Sequence, residues 1–282
     1  MLVFETKKEL QNYLFEIKTK KAIIGMVPTM GALHMGHISL VKQAVSKNDI
    51  TVVSIFVNPT QFDNSEDLEK YPTTLKEDTL LLQQVSSEII IFSPSASDIY
   101  DGNIAAKKYN FDGLDKVMEG EFRGNHFNGV GTIVETLLTL VMPNNAYFGE
   151  KDYQQLAIIK NLIEKQKIPI TIIGCPIVRE ANGLAMSSRN ERLSPPIRKE
   201  AAFLYKTLIT AKEKFGTKSA LLTINWVKNQ FKTKDNLKLE YVQIADARTL
   251  QPVKRKQKSR KYRIFIAVYA NGIRLIDNIA LN

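Results

Sequence analysis

The chain has one cysteine, Cys175, and three histidines among 282 residues. A lone cysteine excludes an internal disulfide and a Cys-rich zinc site, and beside Ile172, Ile173 and Pro176 it reads as a small apolar core residue. No apolar run approaches the roughly 20 residues that a membrane helix needs. Charges run through residues 1–21, where an export signal would have its apolar segment, so a cytoplasmic location without a membrane partner is expected. Neither a Gly-rich dinucleotide fingerprint nor a Lys-ending phosphate loop occurs, and there is no internal repeat or low-complexity tract. What remains is ordinary globular composition, 44% hydrophobic and 24% charged, in a chain long enough for one large or two moderate domains.

Acidic residues are in deficit. The 39 Lys and Arg against 29 Asp and Glu leave a net charge of +10, which suits an anionic partner. The densest basic cluster, residues 254–263, lies between two strand-like segments and carries no stacking aromatic beyond Tyr262. It reads as a solvated hairpin loop, so no nucleic acid is expected as a partner.

Residues 21–27 read as a buried strand, Ile38, Val41 and Val45 recur at helical spacing, and residues 50–57 return as a second strand, which makes a βαβ unit. The alternation continues with a helix over 75–85, a strand over 88–92, and a helix over 130–141 that stops at Pro143. A strand over 145–148, a helix over 153–165 and a strand over 170–174 follow. This predicts an α/β domain over residues 1–177, a Rossmann-like parallel sheet with helices on both faces. After about Arg189 the character changes: helices over 199–215 and 220–231 precede strands over 239–245 and 262–270. Asn271-Gly272 before Ile273 is a hairpin signal, because both turn positions need positive φ. Residues 178–282 are therefore expected to form a smaller C-terminal α+β domain with antiparallel strands.

Chemistry-bearing residues gather at the ends of these elements. Residues 27–37, VPTMGALHMGH, leave the first strand at Met30-Gly31 and enter a helix at Gly36-His37, where backbone N–H groups and the helix dipole favour an anion. His34 and His37, three apart, can face the same anion; a zinc pair would need further ligands, and no suitably spaced Asp, Glu or Cys accompanies them. Asn58 and Gln61 follow the second strand, where open parallel sheets bind ligands, and their amides suit a small polar molecule. Phe148-Gly-Glu-Lys-Asp-Tyr-Gln-Gln155 follows another strand. Gly149 allows close backbone approach, Lys151 supplies a point charge, Asp152 can cap a helix or hold a magnesium-bound water, and Gln155 lies one turn on. Residues 177–190 carry Ser187, Ser188 and Arg189 on a glycine-bearing loop that could clamp phosphates. Arg123 and the third histidine, His126, precede the helix over 130–141.

Taken in order, PTMGALHMGH, FVNPTQF, RGNHFNGV, FGEKDYQQL and VREANGLAMSSRN resemble the pantothenate synthetases, the pantoate–β-alanine ligases of the nucleotidylyltransferase superfamily, from Gly25 to Asn190. The resemblance implies ATP and Mg2+, with pantoate and β-alanine as the other substrates. Pantoate's carboxylate would attack the α-phosphorus of Mg-ATP to give pantoyl adenylate and pyrophosphate, and β-alanine's amine would then displace AMP. By the same match Met30, Gly31, Ala32, Leu33, His34, Met35, Gly36 and His37 line the ATP site. Gly149, Glu150, Lys151, Asp152, Val178 through its backbone, Met186, Ser187, Ser188 and Arg189 complete it. His37, His34 and Lys151 are the catalytic candidates. Gln61 and Gln155 correspond to the pantoate-binding glutamines, Gln61 also near β-alanine, with Asn58 in support. No direct protein ligand to the metal is implied beyond Asp152 as an option, and the family usually forms a homodimer and ends in a small lid domain. Two departures stand out: Gly124-Asn125 where the family commonly has Pro-Gly, and Asn182 where it commonly has Asp. The rivals are an adenylyltransferase of the same superfamily, which needs no paired glutamines, and an RNA-binding module, which needs no His37.

Overall fold

Short β-branched runs separated by amphipathic helices dictate the first of two units, Met1–Glu150 with Gln155–Pro176, in a computed structural model that describes residues 1–62 and 65–282. Its elements are β1 (Leu2–Phe4), α1 (Lys7–Thr19), β2 (Ile24–Thr29), α2 (Met35–Val45), β3 (Ile50–Ile55), α3 (Ser65–Glu69) and α4 (Leu75–Gln83). Then come β4 (Ile90–Phe92), α5 (Ala96–Ile99), α6 (Glu119–Phe122), α7 (His126–Val141), β5 (Asn145–Gly149), α8 (Tyr153–Lys165) and β6 (Thr171–Cys175). The strands form one parallel sheet in the order β1-β4-β3-β2-β5-β6.

Alternation of side chains along each strand sorts the core into two layers. Met26, Val52, Ile90, Ala146 and Phe148 pack with Leu10 and Leu14 of α1, Val130 to Val141 of α7 and Ile159 of α8. Their strand neighbours Val27, Val53, Ile91 and Tyr147 pack on the other face with Ile38, Val41 and Ala44 of α2 and Leu82 of α4. Helices therefore cover both faces, as the predicted βαβ alternation requires. Cys175 joins the second layer, fully buried, with its Sγ–H donating to Gln43 Oε1 at 3.4 Å and its thiol pushed up to about 11 by burial.

The strand order reverses between β3-β2 and β5-β6, and ligands of open α/β sheets bind at such a switch point. Here the geometry opens for a definable reason. β2 pairs with β3 through Thr29↔Ile55, yet its ladder with β5 ends at Met26↔Ala146. Pro28, just beyond, has no N–H to offer a neighbouring strand.

The second unit comprises Lys151–Gln154 and Ile177–Asn282. It holds α9 (Pro195–Ala201), α10 (Phe203–Thr217), α11 (Ala220–Phe231) and the antiparallel strands β7 (Leu237–Asp246), β8 (Tyr262–Ala270) and β9 (Ile273–Ala280). Leu204, Leu208, Val227 and Phe231 of the helices pack on Ile244, Ile264, Ile266 and Leu275 of the sheet. Asn271 and Gly272 both take positive φ, 46° and 81°, in the β8–β9 turn. Residues 254–261 are exposed within the β7–β8 connection except Lys256, which reaches the C-terminal Phe215 carbonyl of α10.

Several boundaries differ from the pattern. The helix expected over 199–215 is two helices that abut at Ala202, because Pro195 and Pro196 start a helix four residues earlier. The helix expected from residue 130 begins at His126. Residues 2–19, read only as charged, form β1 and α1; Thr6 caps α1 by accepting the Glu9 N–H at 3.3 Å and donating to Glu9 Oε2 at 2.7 Å. Among the described residues no helix is long and apolar enough to cross a membrane.

Candidate functional site

Between β2 and α2 the chain turns through two successive left-handed residues, Gly31 at φ 80° and Ala32 at φ 48°. Such a turn points successive N–H groups into one concavity, ready for an anion. That anion is internal. Asp78, 1% exposed in the first turn of α4, accepts the Ala32 N–H at 2.9 Å and the Leu33 N–H at 2.7 Å. Burial pushes its carboxyl up, against these bonds and the Thr74 hydroxyl, which pull it down. The Gly31 N–H goes to Thr29 Oγ1 at 3.2 Å. The N–H groups of Gly31, Ala32 and Leu33 thus have partners within the protein, and side-chain donors can add to what the helix N-terminus offers an exogenous anion.

The two histidines supply them. His34 is the N-cap of α2, its Nδ1 accepting the Gly36 N–H at 3.1 Å, and His37 Nδ1 accepts the His34 N–H at 3.4 Å. This is a capping box built from imidazoles, with the three-residue spacing that Ser/Thr and Glu ordinarily use. It stacks the rings with centroids 4.1 Å apart at 26°. An Nδ1 that accepts must carry a lone pair, so the neutral form of each ring bears its proton on Nε2 and donates from there. Both donors stand at the positive end of the α2 dipole.

Next to them lies the turn after β3. Asn58 is 1% exposed and completely engaged: Nδ2 donates to Gln61 Oε1 and to the Gly129 carbonyl, both at 3.2 Å. Its Oδ1 accepts from Thr60 Oγ1 at 3.0 Å and from the Tyr100 hydroxyl, whose phenol burial pushes up. Gln61 is half-buried, and its Nε2 donates to Met30 Sδ at 2.6 Å, joining two of the motifs. Its carbonyl meets His126 Nδ1 at 2.8 Å and accepts from Arg123 at 3.5 Å. His126 thus holds a backbone, and the departure Gly124-Asn125 leaves that contact intact. α7 comes so close that a Cβ on Gly129 would stand 2.1 Å from the Thr60 carbonyl oxygen. Gly149 ends β5, Glu150 packs beside Gly174, and Gln155, half-buried on α8, makes no side-chain hydrogen bond among the described residues.

Within the second unit, Lys151 and Asp152 pair at 3.5 Å in a short helical turn. The loop from Val178 to Met186 closes as a hairpin: Met186 N–H donates to the Val178 carbonyl at 3.0 Å, and Arg179 bridges to Ala185. Asn182 Oδ1 accepts the Leu184 N–H at 3.0 Å, so the exchange of Asp for Asn keeps the acceptor that shapes this turn. Ser187 caps the turn Ser188–Arg192, and residues 186–189 are half-buried. Glu180 Oε1 accepts from Asn190 at 2.7 Å and the Glu180 carboxylate pairs with Arg198 at 3.0 Å.

Sequence reasoning missed Asp78, Tyr100 and Gly129. Only an acidic residue in a helix's first turn marks Asp78, and that pattern is as well explained by the helix dipole. Among the described residues no group of three or more His, Cys, Asp or Glu could hold a metal ion.

A family model described as pantoate-beta-alanine ligase matches residues 2–280. The pantothenate synthetase of Christiangramia forsetii is 57% identical over 282 residues, covering 100% of both chains. The crystal structure of pantothenate synthetase from Thermus thermophilus superposes with a TM-score of 0.92 at 36% identity, covering 100% of this chain and 99% of that one. That of the pantoate-beta-alanine ligase from Francisella tularensis, complexed with beta-gamma ATP and beta-alanine, gives 0.83 at 37% identity and covers 100% and 98%.

Proposed function

The chain belongs to the pantoate-beta-alanine ligase family, and from that premise we propose that the stacked histidines of α2 and the Gln61 turn are two parts of one acyl-activating site. The activity is the ATP-dependent condensation of pantoate with β-alanine to pantothenate, AMP and pyrophosphate through pantoyl adenylate. In the first step a pantoate carboxylate oxygen bonds to the α-phosphorus as the bond to the β-phosphate oxygen breaks. In the second the β-alanine nitrogen bonds to the acyl carbon as AMP leaves.

Neither step needs a protein nucleophile, so the residues act by placing reactants and by donating to oxygens on which charge grows. The observation that carries the reading is the imidazole capping box. It fixes both Nδ1 atoms as acceptors, which leaves His34 and His37 to donate from Nε2, and the proposal assigns those donors to the α-phosphoryl group. His37 is assigned as the principal stabiliser, with His34 beside it and Lys151 as the third catalytic group. Residues 30–37, Gly149, Glu150, Asp152, Val178, Met186, Ser187, Ser188 and Arg189 complete the ATP assignment. Gln61 and Gln155 are assigned to pantoate, Gln61 also to β-alanine, and Asn58 holds Gln61 through its amide.

Mg2+ belongs to this reading as part of the substrate. The described residues offer no three-ligand cluster, and Asp152 already pairs with Lys151. That donor set fits an ion carried on ATP phosphates, keeping its own waters. A homodimer in the cytoplasm is proposed with it, and sedimentation at one protomer's mass would remove the dimer.

The decisive assay omits one substrate at a time. AMP and pyrophosphate should accumulate over many turnovers only with pantoate, β-alanine and Mg-ATP together; AMP formation without pantoate overturns the assignment.

A further inference from the structure

The strand β9 carries two adjacent polar side chains, Asp277 and Asn278, which are 3% and 2% exposed. Successive side chains of a strand face opposite ways, so burial of both demands separate partners. Asp277 takes a bidentate pair from Arg179, Nη1 to Oδ2 at 2.6 Å and Nη2 to Oδ1 at 2.9 Å. The same guanidinium stacks 3.7 Å from the centre of the Tyr205 ring and donates to the Gly183 carbonyl at 3.1 Å. Gly183 has φ 96°, and a Cβ there would stand 2.6 Å from Tyr205 Cδ1. The hairpin from Val178 to Met186 is thus clamped at its tip. Asn278 works elsewhere. Its Nδ2 donates to the Lys151 carbonyl at 2.8 Å, while its Oδ1 accepts from Arg263, whose guanidinium lies 4.0 Å from the Tyr153 ring centre.

Both residues act on main chain in segments that bear functional side chains, Gly183 in one and Lys151 in the other. A buried ion pair adds little net stability over a well-packed apolar pair, so its geometry rather than its energy is the informative part. We propose that Asp277 and Asn278 are positioning residues for the ATP-dependent reaction: Asp277 sets the loop 178–189 through Arg179, and Asn278 sets Lys151 through its carbonyl. The proposal rests on the assignment of Lys151 and Ser187–Arg189 to ATP.

Asn278→Asp is the sharpest test, because it keeps an acceptor for Arg263 and replaces the donor toward Lys151 with a second acceptor. The expected result is a thermal midpoint near the parent's and a kcat/KM for ATP lower by roughly tenfold to a hundredfold, the scale of small misplacements at a reacting centre. The KM for β-alanine should stay within about twofold of the parent's, which general loosening of the fold would not produce. Parental ATP kinetics in the folded variant overturn the role of Asn278. Arg179→Met combined with Asp277→Leu replaces the clamp by apolar groups; it should fold and lose ATP efficiency, and parental kinetics overturn the role of Asp277. If neither variant folds, the residues serve the fold alone and the proposal fails. Lys151→Ala separates this from its premise: normal turnover there overturns the ATP assignment of Lys151. A deficient Lys151→Ala beside a normal Asn278→Asp overturns only the positioning role.

Discussion

The Asp78 carboxylate accepts the Leu33 N–H at 2.7 Å across 45 residues of sequence, and with the Ala32 bond it holds the left-handed turn that aims α2. Asn at this position offers one acceptor where two N–H groups need partners. Asp78→Asn should therefore lower unfolding free energy by roughly 1–3 kcal/mol in urea denaturation. The pH dependence has a definite sign. Burial raises this carboxyl in the folded state, so its contribution is complete below the unfolded value and declines as pH rises through the folded one. The gap between parent and variant should narrow as pH rises above about 4, and a gap that widens would mean that the hydrogen bonds to this carboxyl outweigh its burial.

The proposed catalytic role of His37 and its observed part in the α2 cap can be separated by substitution. His37→Ala should lower turnover by about a hundredfold or more, the usual effect of losing one transition-state donor. It should also cost about 1 kcal/mol as the cap is lost, and His37→Gln, which restores an ordinary capping-box residue, should recover that stability. Near-normal turnover in His37→Ala places the imidazole outside the chemistry.

The proposed role of the Gln61 turn is tested through pantoate. Gln61→Ala should raise the KM for pantoate more than that for ATP. Gly129→Ala should do the same while destabilising by roughly 1–3 kcal/mol, since its Cβ would press on the Thr60 carbonyl and the backbone must shift. A larger effect on ATP in both variants would reverse the assignment of the pocket.

Chelation distinguishes a substrate-borne ion from a resident one. EDTA in excess should abolish turnover yet leave the thermal midpoint unchanged, because the described residues contain no three-ligand cluster for an ion to stabilise. A midpoint that falls on chelation and recovers with added Mg2+ would reveal a structural metal.

The parallel sheet and the antiparallel hairpin were legible because each rests on local signals: apolar runs alternating with helical spacing, and Asn271-Gly272. The histidine pair was legible for the same reason, since a three-residue spacing at a strand-to-helix turn has few uses. α1 carried its signal too, in Thr6 and Glu9, but dense charge around them masked the buried Leu10 and Leu14. Asp78, Tyr100 and Gly129 were out of reach because their roles exist only across long separations. Lys76, Glu77 and Asp78 together look like a solvated helix start, and nothing local says that the third of them turns inward.

The contact of α7 with the Thr60 turn has a practical consequence for anyone wishing to alter which acid is accepted. Beside Gln61, where the proposal puts pantoate, the packing is main chain on main chain, Gly129 against Thr60 and Gln61. Side-chain libraries have nothing to exchange there except at the expense of folding. Under the proposed assignment, variation aimed at bulkier or shorter acids is directed at Gln61, at Gln155 and at Met30, whose sulfur the Gln61 amide touches. Gly129 is thus a position that point mutation can hardly reshape without cost to folding.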